Sequence, residues 1–312
     1  MNSKDYKKAY KYLVQAGDLE PNDEYYQLLK LKSRYEFYKT HDNIDEQELD
    51  NFVEECNTFL ENTTGRYDAS VYFWRGFVYY QCSENKMAIK DLEKSLEIEQ
   101  NANVYNLLGN AYFYDGKYNK AIECFDKAIE INPNSYKAYH GRSFAKYFLN
   151  FPIEDSIEDC KKSYKINSNY KAAIMNIILY LIQLKDYNKA LQYCDKEKGT
   201  DDFINALSIY KSLIHYYLGN KDVALDYFKK GFVRYYSVVE DCNNIIQTLK
   251  NCADLTEDNA IIKQKIEHET SVLKTLQDLK EELNKTVKSC SFCGKLESDD
   301  IIIMEKDGKC IC

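Results

Sequence analysis

A small residue followed four places later by a larger one recurs along the middle of this chain: Ala88/Leu92, Ala121/Phe125, Ser156/Cys160, Ala190/Cys194 and Ala224/Phe228. The small members lie 33, 35, 34 and 34 positions apart. Residues four apart share one face of a helix, so each pair marks a helix with a flat spot beside a knob. Upstream of each lies a second helical segment with its own small residue: Gly76, Gly109, Ser143 and Ser212, with Ile178 as the departure. Turn residues such as Asp115-Gly116-Lys117-Tyr118 and Leu218-Gly219-Asn220 separate the two segments. Where antiparallel helices cross, a side chain larger than Ala pushes the axes apart, and the larger residue one turn on fills the adjacent groove. A period of about 34 residues split into two helices predicts a stack of helical hairpins.

The flanking segments read as helices too. Lys4–Ala16, Asn22–Tyr38 and Asp45–Leu60 carry apolar residues at helical spacing, including Leu28, Leu31 and Tyr35, then Phe52, Cys56 and Phe59. A repeat stack needs covered ends, because each unit buries only one face against its neighbour. Residues 1–65 are expected to form an irregular helical pair with a cap. Residues 66–252 form the array, about five hairpins closed by a cap at Tyr235–Cys252, followed by a long helix over 253–288 and a small module over 289–312. The long helix, Thr256–Lys288, sets Ile262, Ile266, Leu273, Leu276, Leu283 and Val287 along one side; Glu269 and Lys280 interrupt the heptads, which favours docking on the array over a coiled coil.

Composition agrees with an all-α fold: 312 residues hold only 11 Gly and 3 Pro, too few breakers for the turns of an all-β domain. Net charge is −8 and no Lys/Arg stripe gathers on one segment, so a nucleic-acid partner is not expected. Met1–Tyr12 lacks the apolar core of a secretory signal. The longest apolar stretch, Ala172–Leu184, is 13 residues and contains Asn176 and Gln183, where a membrane span needs about 20. Cys56, Cys82, Cys124, Cys160, Cys194, Cys242 and Cys252 are spread singly along helical segments, as reduced thiols serving as small buried hydrophobes would be. A soluble cytoplasmic protein with no membrane partner is the expectation.

The segment Ala102–Ser135 strongly resembles a tetratricopeptide repeat: Tyr105, Leu108, Gly109, Tyr112, Gly116, Tyr118, Ala121, Phe125, Ala128 and Pro133 stand where that family's pattern puts such residues. Tyr136–Asn169 is nearly as clear, with Phe151-Pro152 lengthening its turn by one residue, and the two units between Tyr170 and Val238 are degenerate. The resemblance covers roughly 69–238 and implies a right-handed superhelical solenoid whose first helices line a concave wall. By that implication the wall holds Phe73, Phe77 and Tyr80, then Asn106, Asn110 and Phe113, then His140, Phe144 and Tyr147, continuing to Met175, Leu179, Ile209, Leu213 and Tyr216. Such a wall is aromatic and mostly uncharged, with two Asn able to bracket a peptide backbone, and suits an apolar peptide or helix. A flanking helix of the same chain is the alternative occupant. Co-chaperone members of the family grip a carboxylate tail with Lys, Arg and Asn; here Lys137 stands, but Gly141 and Leu107 occupy the companion positions, so that ligand is disfavoured.

Near the carboxy end, Cys290-Ser-Phe-Cys-Gly-Lys295 opens a cluster of Cys290, Cys293, Cys310 and Cys312. Cys-x-x-Cys supplies two soft ligands from one tight turn, and a second pair must come from a short hairpin; Ile301–Glu305 and Lys309–Cys312 read as its strands. A tail this short has no core, so one structural Zn2+ per chain would supply its folding energy. The tail resembles the amino-terminal zinc-binding domain of the ClpX unfoldase in its opening run and in the spacing Cys293-x18-Cys312. The resemblance implies Cys290, Cys293 and Cys312 as ligands, dimerisation through the tail, and a link to Clp-type proteolysis. The family's fourth Cys lies three residues beyond Cys312. Cys310 as substitute, a three-thiolate site, and a sequence cut short of its end all stay open, as does a knuckle that merely caps the long helix.

Catalytic patterns are not found: no Gly-rich phosphate loop, no His-Glu-x-x-His, and His41, His140, His215 and His268 are scattered. The expectation is a non-enzymatic protein–protein adaptor or scaffold that takes a peptide in its wall and dimerises or recruits through zinc. A peptide-sensing regulator is the second reading.

Overall fold

The computed structural model describes residues 12, 23–40, 44–63, 65–149, 151–253, 260–287, 303–304 and 310–311. The turns foreseen between paired helices are built alike. At the close of the first helix in four hairpins the chain passes through a left-handed residue: Ser83 (φ 62°), Gly116 (φ 76°), Lys185 (φ 59°) and Gly219 (φ 82°). The following N–H then donates to the carbonyl five places back, Glu84 to Tyr79, Lys117 to Tyr112, Asp186 to Leu181 and Asn220 to His215, at 2.8 to 2.9 Å. That pattern satisfies carbonyls left open at the helix end and reverses the chain. A Cβ at Gly116 or Gly219 would meet nothing within 4 Å, so the backbone angle alone asks for glycine there.

The described helices are α1 (Glu24–Tyr38), α2 (Glu46–Asn62), α3 (Asp68–Gln81), α4 (Asn85–Ile98), α5 (Ala102–Tyr114), α6 (Tyr118–Ile131), α7 (Tyr136–Phe148), α8 (Ile153–Ile166), α9 (Lys171–Gln183), α10 (Tyr187–Lys196), α11 (Asp201–Tyr217), α12 (Lys221–Gly231), α13 (Tyr235–Ala253) and α14 (Ala260–Val287). Asp23, Asp45, Asn101 and Thr200 open α1, α2, α5 and α11 by accepting from N–H groups of the first turn. No described helix is long and apolar enough to cross a membrane. The chain divides into two compact units, Met1–Tyr170 and Lys171–Cys312.

In the first unit, α1 to α8 form four successive hairpins, with the first helices α1, α3, α5 and α7 side by side. The small-residue pattern does here what close approach requires. Phe125 of α6 is fully buried, and its ring stands between Gly109 of α5 and Gly141 of α7. A Cβ at Gly109 would lie 2.7 Å from that ring, and one at Gly141 only 2.5 Å. Ala88, Leu92, Ala121, Ser156 and Cys160 are all at 0% exposure. The amino-terminal pair α1/α2 buries Leu31, Tyr35, Phe52, Cys56 and Phe59 against Val71, Trp74 and Val78 of α3.

Arginines tie the helices together, within a hairpin and from one hairpin to the next. Arg34 donates to the Tyr38 hydroxyl, the Glu48 carbonyl and the Glu55 carboxylate, each at 2.8 Å. Arg75 grips Asp91 of its own hairpin through two bonds of 2.6 and 2.7 Å and reaches Asn57 of the preceding one. Arg142 repeats the device, holding Asp159 at 2.8 and 2.5 Å and Asp126 of the preceding hairpin at 2.5 Å. Burial works against the Arg142 charge, but the bonds to Asp159 and Asp126 outweigh it and push its pKa up. Bidentate Arg–carboxylate pairs fix orientation as well as energy, so these links set the angle between neighbours.

In the second unit, α9/α10 and α11/α12 are hairpins, and α14 packs on α13, α12 and α11. The long helix therefore docks within the unit. Its buried face is rotated from the expected seam: Ile262, Val272, Leu276, Leu279 and Leu283 are buried together with Lys265, Glu269 and Thr275, while Ile266 and Leu273 are only half-buried. Within the described residues the helix spans Ala260–Val287; Thr256 and Lys288 lie outside them. Of the carboxy-terminal hairpin, the described residues give one antiparallel pairing, β1 (Ile303–Met304) with β2 (Cys310–Ile311), in the register Ile303↔Ile311. Apart from Tyr12, the expected helix Lys4–Ala16 lies outside the described residues, as do Cys290, Cys293 and Cys312.

Two substitutions check this packing by urea denaturation. Gly141→Ala is expected to cost about 1–3 kcal/mol, because the Phe125 ring has no free space to move into. Lys185→Gly is expected to stabilise by about 0.5–1 kcal/mol by relieving the left-handed angle, net of added freedom in the unfolded chain. An unshifted midpoint for Gly141→Ala would disprove the wedge.

Candidate functional site

The first helices of the first unit carry a continuous string of rings. Tyr80 of α3 meets Tyr114 of α5 with centroids 6.0 Å apart, and Tyr114 meets Phe113 edge-on at 5.3 Å. Phe113 meets Phe144 of α7 at 5.3 Å, Phe144 stacks on His140 at 6.4 Å, and His140 meets Tyr170 edge-on at 5.1 Å. The string is thus fixed by three neighbouring helices whose axes are set by the glycines beneath them. Tyr114 is its most open member, 64% exposed.

The polar atoms along the string are neutral. Burial, followed by the neighbouring Tyr114, pushes the Tyr80 phenol well above its usual range. Burial and then Tyr136 push Tyr170 up to about 12. Burial pulls His140 down to about 4, so its imidazole carries no charge near neutrality. His140 Nδ1 lies 3.2 Å from the Tyr170 hydroxyl. Asn106 and Asn110 sit one turn apart on α5 and are half-buried. The Asn106 Oδ1 is a buried acceptor with no hydrogen-bond partner among the described residues.

The nine first-unit residues expected on the wall are not equivalent. Tyr80, Phe113, His140 and Phe144 are gathered by the string, and Asn106 and Asn110 lie half-buried on α5, the helix that carries Phe113. Phe73 and Phe77 are instead packed edge-on against Tyr35 of α1, at 5.6 and 5.3 Å. Tyr147 is 2% exposed and meets Phe148, so it supports the wall from beneath. Sequence reasoning passed over Tyr114 and Tyr170. Tyr114 follows Phe113 in the last turn of α5, and Tyr170 immediately precedes α9; a search of helix ends for aromatics would have found both.

In the second unit the matching positions on α11 are covered. Ile209 and Leu213 are at 0% exposure. The Tyr216 hydroxyl donates to Asp278 of α14 at 3.3 Å, and Thr275 of α14 donates to the Tyr217 hydroxyl at 3.4 Å. His268 of α14 is pulled down to about 4 by burial and then by Lys185, beyond the end of α9. The chain's own helix thus takes the place a ligand would fill there. Met175 and Leu179 are half-buried.

Among the described residues, no three His, Cys, Asp or Glu side chains converge on a metal position. Cys56, Cys124, Cys160, Cys194 and Cys242 are buried free thiols, whereas Cys82 is exposed, against its expected role as a buried hydrophobe. Burial pushes Cys124, Cys160 and Cys194 up to about 12, which leaves them without thiolate character at neutral pH. A cleft of about 90 Å³ beside Ser70, Phe73, Asn101 and Asn103 is too small for a cofactor.

A family model for the tetratricopeptide repeat matches residues 102–135, and a second matches residues 69–101. No curated protein matches the sequence. Among solved structures, human IFIT1, described as a dimer with PPP-AAAA, aligns at a TM-score of 0.55 and 14% identity over 92% of this chain and 67% of that one. PilF of Pseudomonas aeruginosa aligns at 0.50 and 16% identity over 72% of this chain and 90% of that one. The class the repeats and the helical stacking define is an all-helical tetratricopeptide-type solenoid, a fold that generally mediates protein–protein interaction.

The depressed His140 has a consequence for stability. Its value falls from 6.5 to about 4 on folding, so between those values the unfolded chain binds the extra proton and folding loses free energy as pH drops. The wild type is therefore expected to lose more thermal stability between pH 7 and pH 5 than His140→Gln, read by circular dichroism. Parallel curves would refute a buried neutral imidazole.

Proposed function

We propose that this protein is a non-catalytic interaction scaffold whose first unit takes a peptide or helix against the ring string of α3, α5 and α7. The observation that supports it best is the contrast between the units. In the second, α14 packs on the matching face of α11; in the first, among the described residues, no helix of that unit lies on the string, and Tyr114 stands 64% exposed. Aromatic side chains of this kind supply most of the energy in peptide and protein recognition. The groove thus offers anchors without charge.

The carboxy-terminal cysteines complete the proposal. Cys290, Cys293 and Cys312, with Cys310 as a fourth, hold one structural zinc and serve dimerisation or recruitment, with the ClpX-type resemblance of the opening run as the only support for a link to Clp proteolysis. The second reading, a peptide-sensing regulator, draws on α14 seated on its own unit's wall, since a helix that can be displaced can signal occupancy.

Two measurements test these readings separately. Metal analysis of reduced protein is expected to give about one zinc per chain, lost together with dimerisation in Cys290→Ser/Cys293→Ser while the helical signal persists; metal-free wild type would remove the zinc module. In a displayed peptide library, Phe144→Ala is expected to weaken selected peptides by about tenfold or more. Retention of every selected peptide would remove the wall as the binding surface.

A further inference from the structure

The face that α14 lays on its own unit mixes apolar and charged side chains. Val272, Leu276, Leu279 and Leu283 are buried there, but so are Lys265 and Glu269, one turn apart, at 1% and 3% exposure, and Thr275 with them. Withdrawing a charge from water costs free energy that even a well-made ion pair only partly returns. A helix that merely closes the end of an array needs nothing but apolar side chains on that face. Beneath it lies an aromatic patch. Tyr217 of α11 stacks on Tyr187 of α10 with centroids 5.7 Å apart, and Tyr216 stands edge-on to Tyr217 at 6.2 Å. Two side chains of α14 hold this patch by its hydroxyls: Tyr216 donates to Asp278 at 3.3 Å, and Thr275 donates to Tyr217 at 3.4 Å. Both distances are at the long end of hydrogen bonding. Thr275 and Asp278 are three apart and so share one helix face.

Resting on the reading of this protein as a ligand-sensing regulator, we propose that α14 is an internal stand-in for a partner's helix. It lifts as one piece, and the face of α11 that it bares takes an amphipathic helix with leucines at the spacing of Leu276, Leu279 and Leu283 and a Thr-x-x-Asp pair beside them. Release returns Lys265 and Glu269 to water, so α14 is held less firmly than its apolar residues alone would hold it. The lifted state then lies within the binding energy of a competing helix. The bared patch is fitted for such a helix rather than for a disordered chain, because its two hydroxyls engage side chains three apart on one helical face. Burial, then Asp278, pushes the Tyr216 phenol up, and burial pushes up that of Tyr217, so both keep their protons at neutral pH. A protonated Tyr216 offers a donor to a carboxylate, the group Asp278 supplies. Tethering gives α14 a high effective concentration at this face, so an outside helix binds only when it is abundant or fits better.

The test uses the full-length protein and a fluorescein-labelled synthetic peptide of residues 260–287. By hydrogen exchange with mass spectrometry, amides of α14 are expected to exchange about tenfold or more faster than those of α11 and α12. Lys265→Met/Glu269→Leu replaces both buried charges with apolar side chains of similar size, and is expected to slow α14 exchange about fivefold or more. Leu276→Asp/Leu279→Asp removes two apolar anchors of α14 and is expected to bind the peptide about tenfold or more tighter than wild type, by fluorescence anisotropy. A peptide carrying Thr275→Ala/Asp278→Ala is expected to bind that variant about fivefold more weakly. Should Leu276→Asp/Leu279→Asp fail to fold, the exchange rates of wild type and of Lys265→Met/Glu269→Leu decide. Exchange of α14 only together with α11 and α12 overturns the inference and the sensor reading alike. Separate exchange with no peptide bound to any folded variant overturns the inference alone and leaves the sensor reading standing. Faster exchange in Lys265→Met/Glu269→Leu also overturns it, because the charges would then hold the helix down. Equal binding of the two peptides overturns the partner pattern.

Discussion

The first unit depends on one steric fact, that a phenylalanine ring can sit between two helices only if both lack a side chain at the contact. Phe125 from the second helix of one hairpin touches Gly109 of its own hairpin and Gly141 of the next. That wedge sets the spacing of α5 and α7 together. The spacing in turn lets Phe113 and Phe144 meet across the two helices at 5.3 Å, so the ring string is a surface consequence of a core constraint. A helix pair held further apart would leave isolated aromatics rather than a wall.

Polar groups then fix what apolar packing leaves free. Nonpolar contacts are non-directional and tolerate rotation of one hairpin on the next. The bidentate grips of Arg75 on Asp91 and Arg142 on Asp159 do not, and each arginine also reaches back to the preceding hairpin, at Asn57 or Asp126. The intervening hairpin carries Leu108 and Cys124 where these have Arg and Asp, so the ion-pair device alternates with purely apolar contact. Alternation keeps the number of buried charges low while still setting the angle at every second step.

The two units use the same hairpin for different ends. In the second, α14 covers Tyr216 and Tyr217 and buries Lys265 and Glu269 among leucines, an arrangement that ties the helix to one register. In the first, the matching surface carries the ring string, with Tyr114 its most open member.

The hairpins, their turns and their small contact residues were legible in the sequence, because close helix crossing tolerates few residue types and those recur every 34 or so positions. Gly116 and Gly219 announced the left-handed turn; Ser83 and Lys185, which adopt the same angle, did not, since nothing in their chemistry requires it. The wall was legible only in part. Helical position told which residues face inward, but not that Phe73 and Phe77 are taken up by Tyr35, that Tyr147 lies underneath, or that Tyr114 and Tyr170 extend the string. Those are contacts between side chains far apart in the chain, and periodicity along one helix carries no record of them. What the sequence determined by itself was the repeating unit, a matter of local sterics. What the tertiary structure alone decided was which faces remain uncovered, because that depends on where a distant helix such as α14 comes to rest.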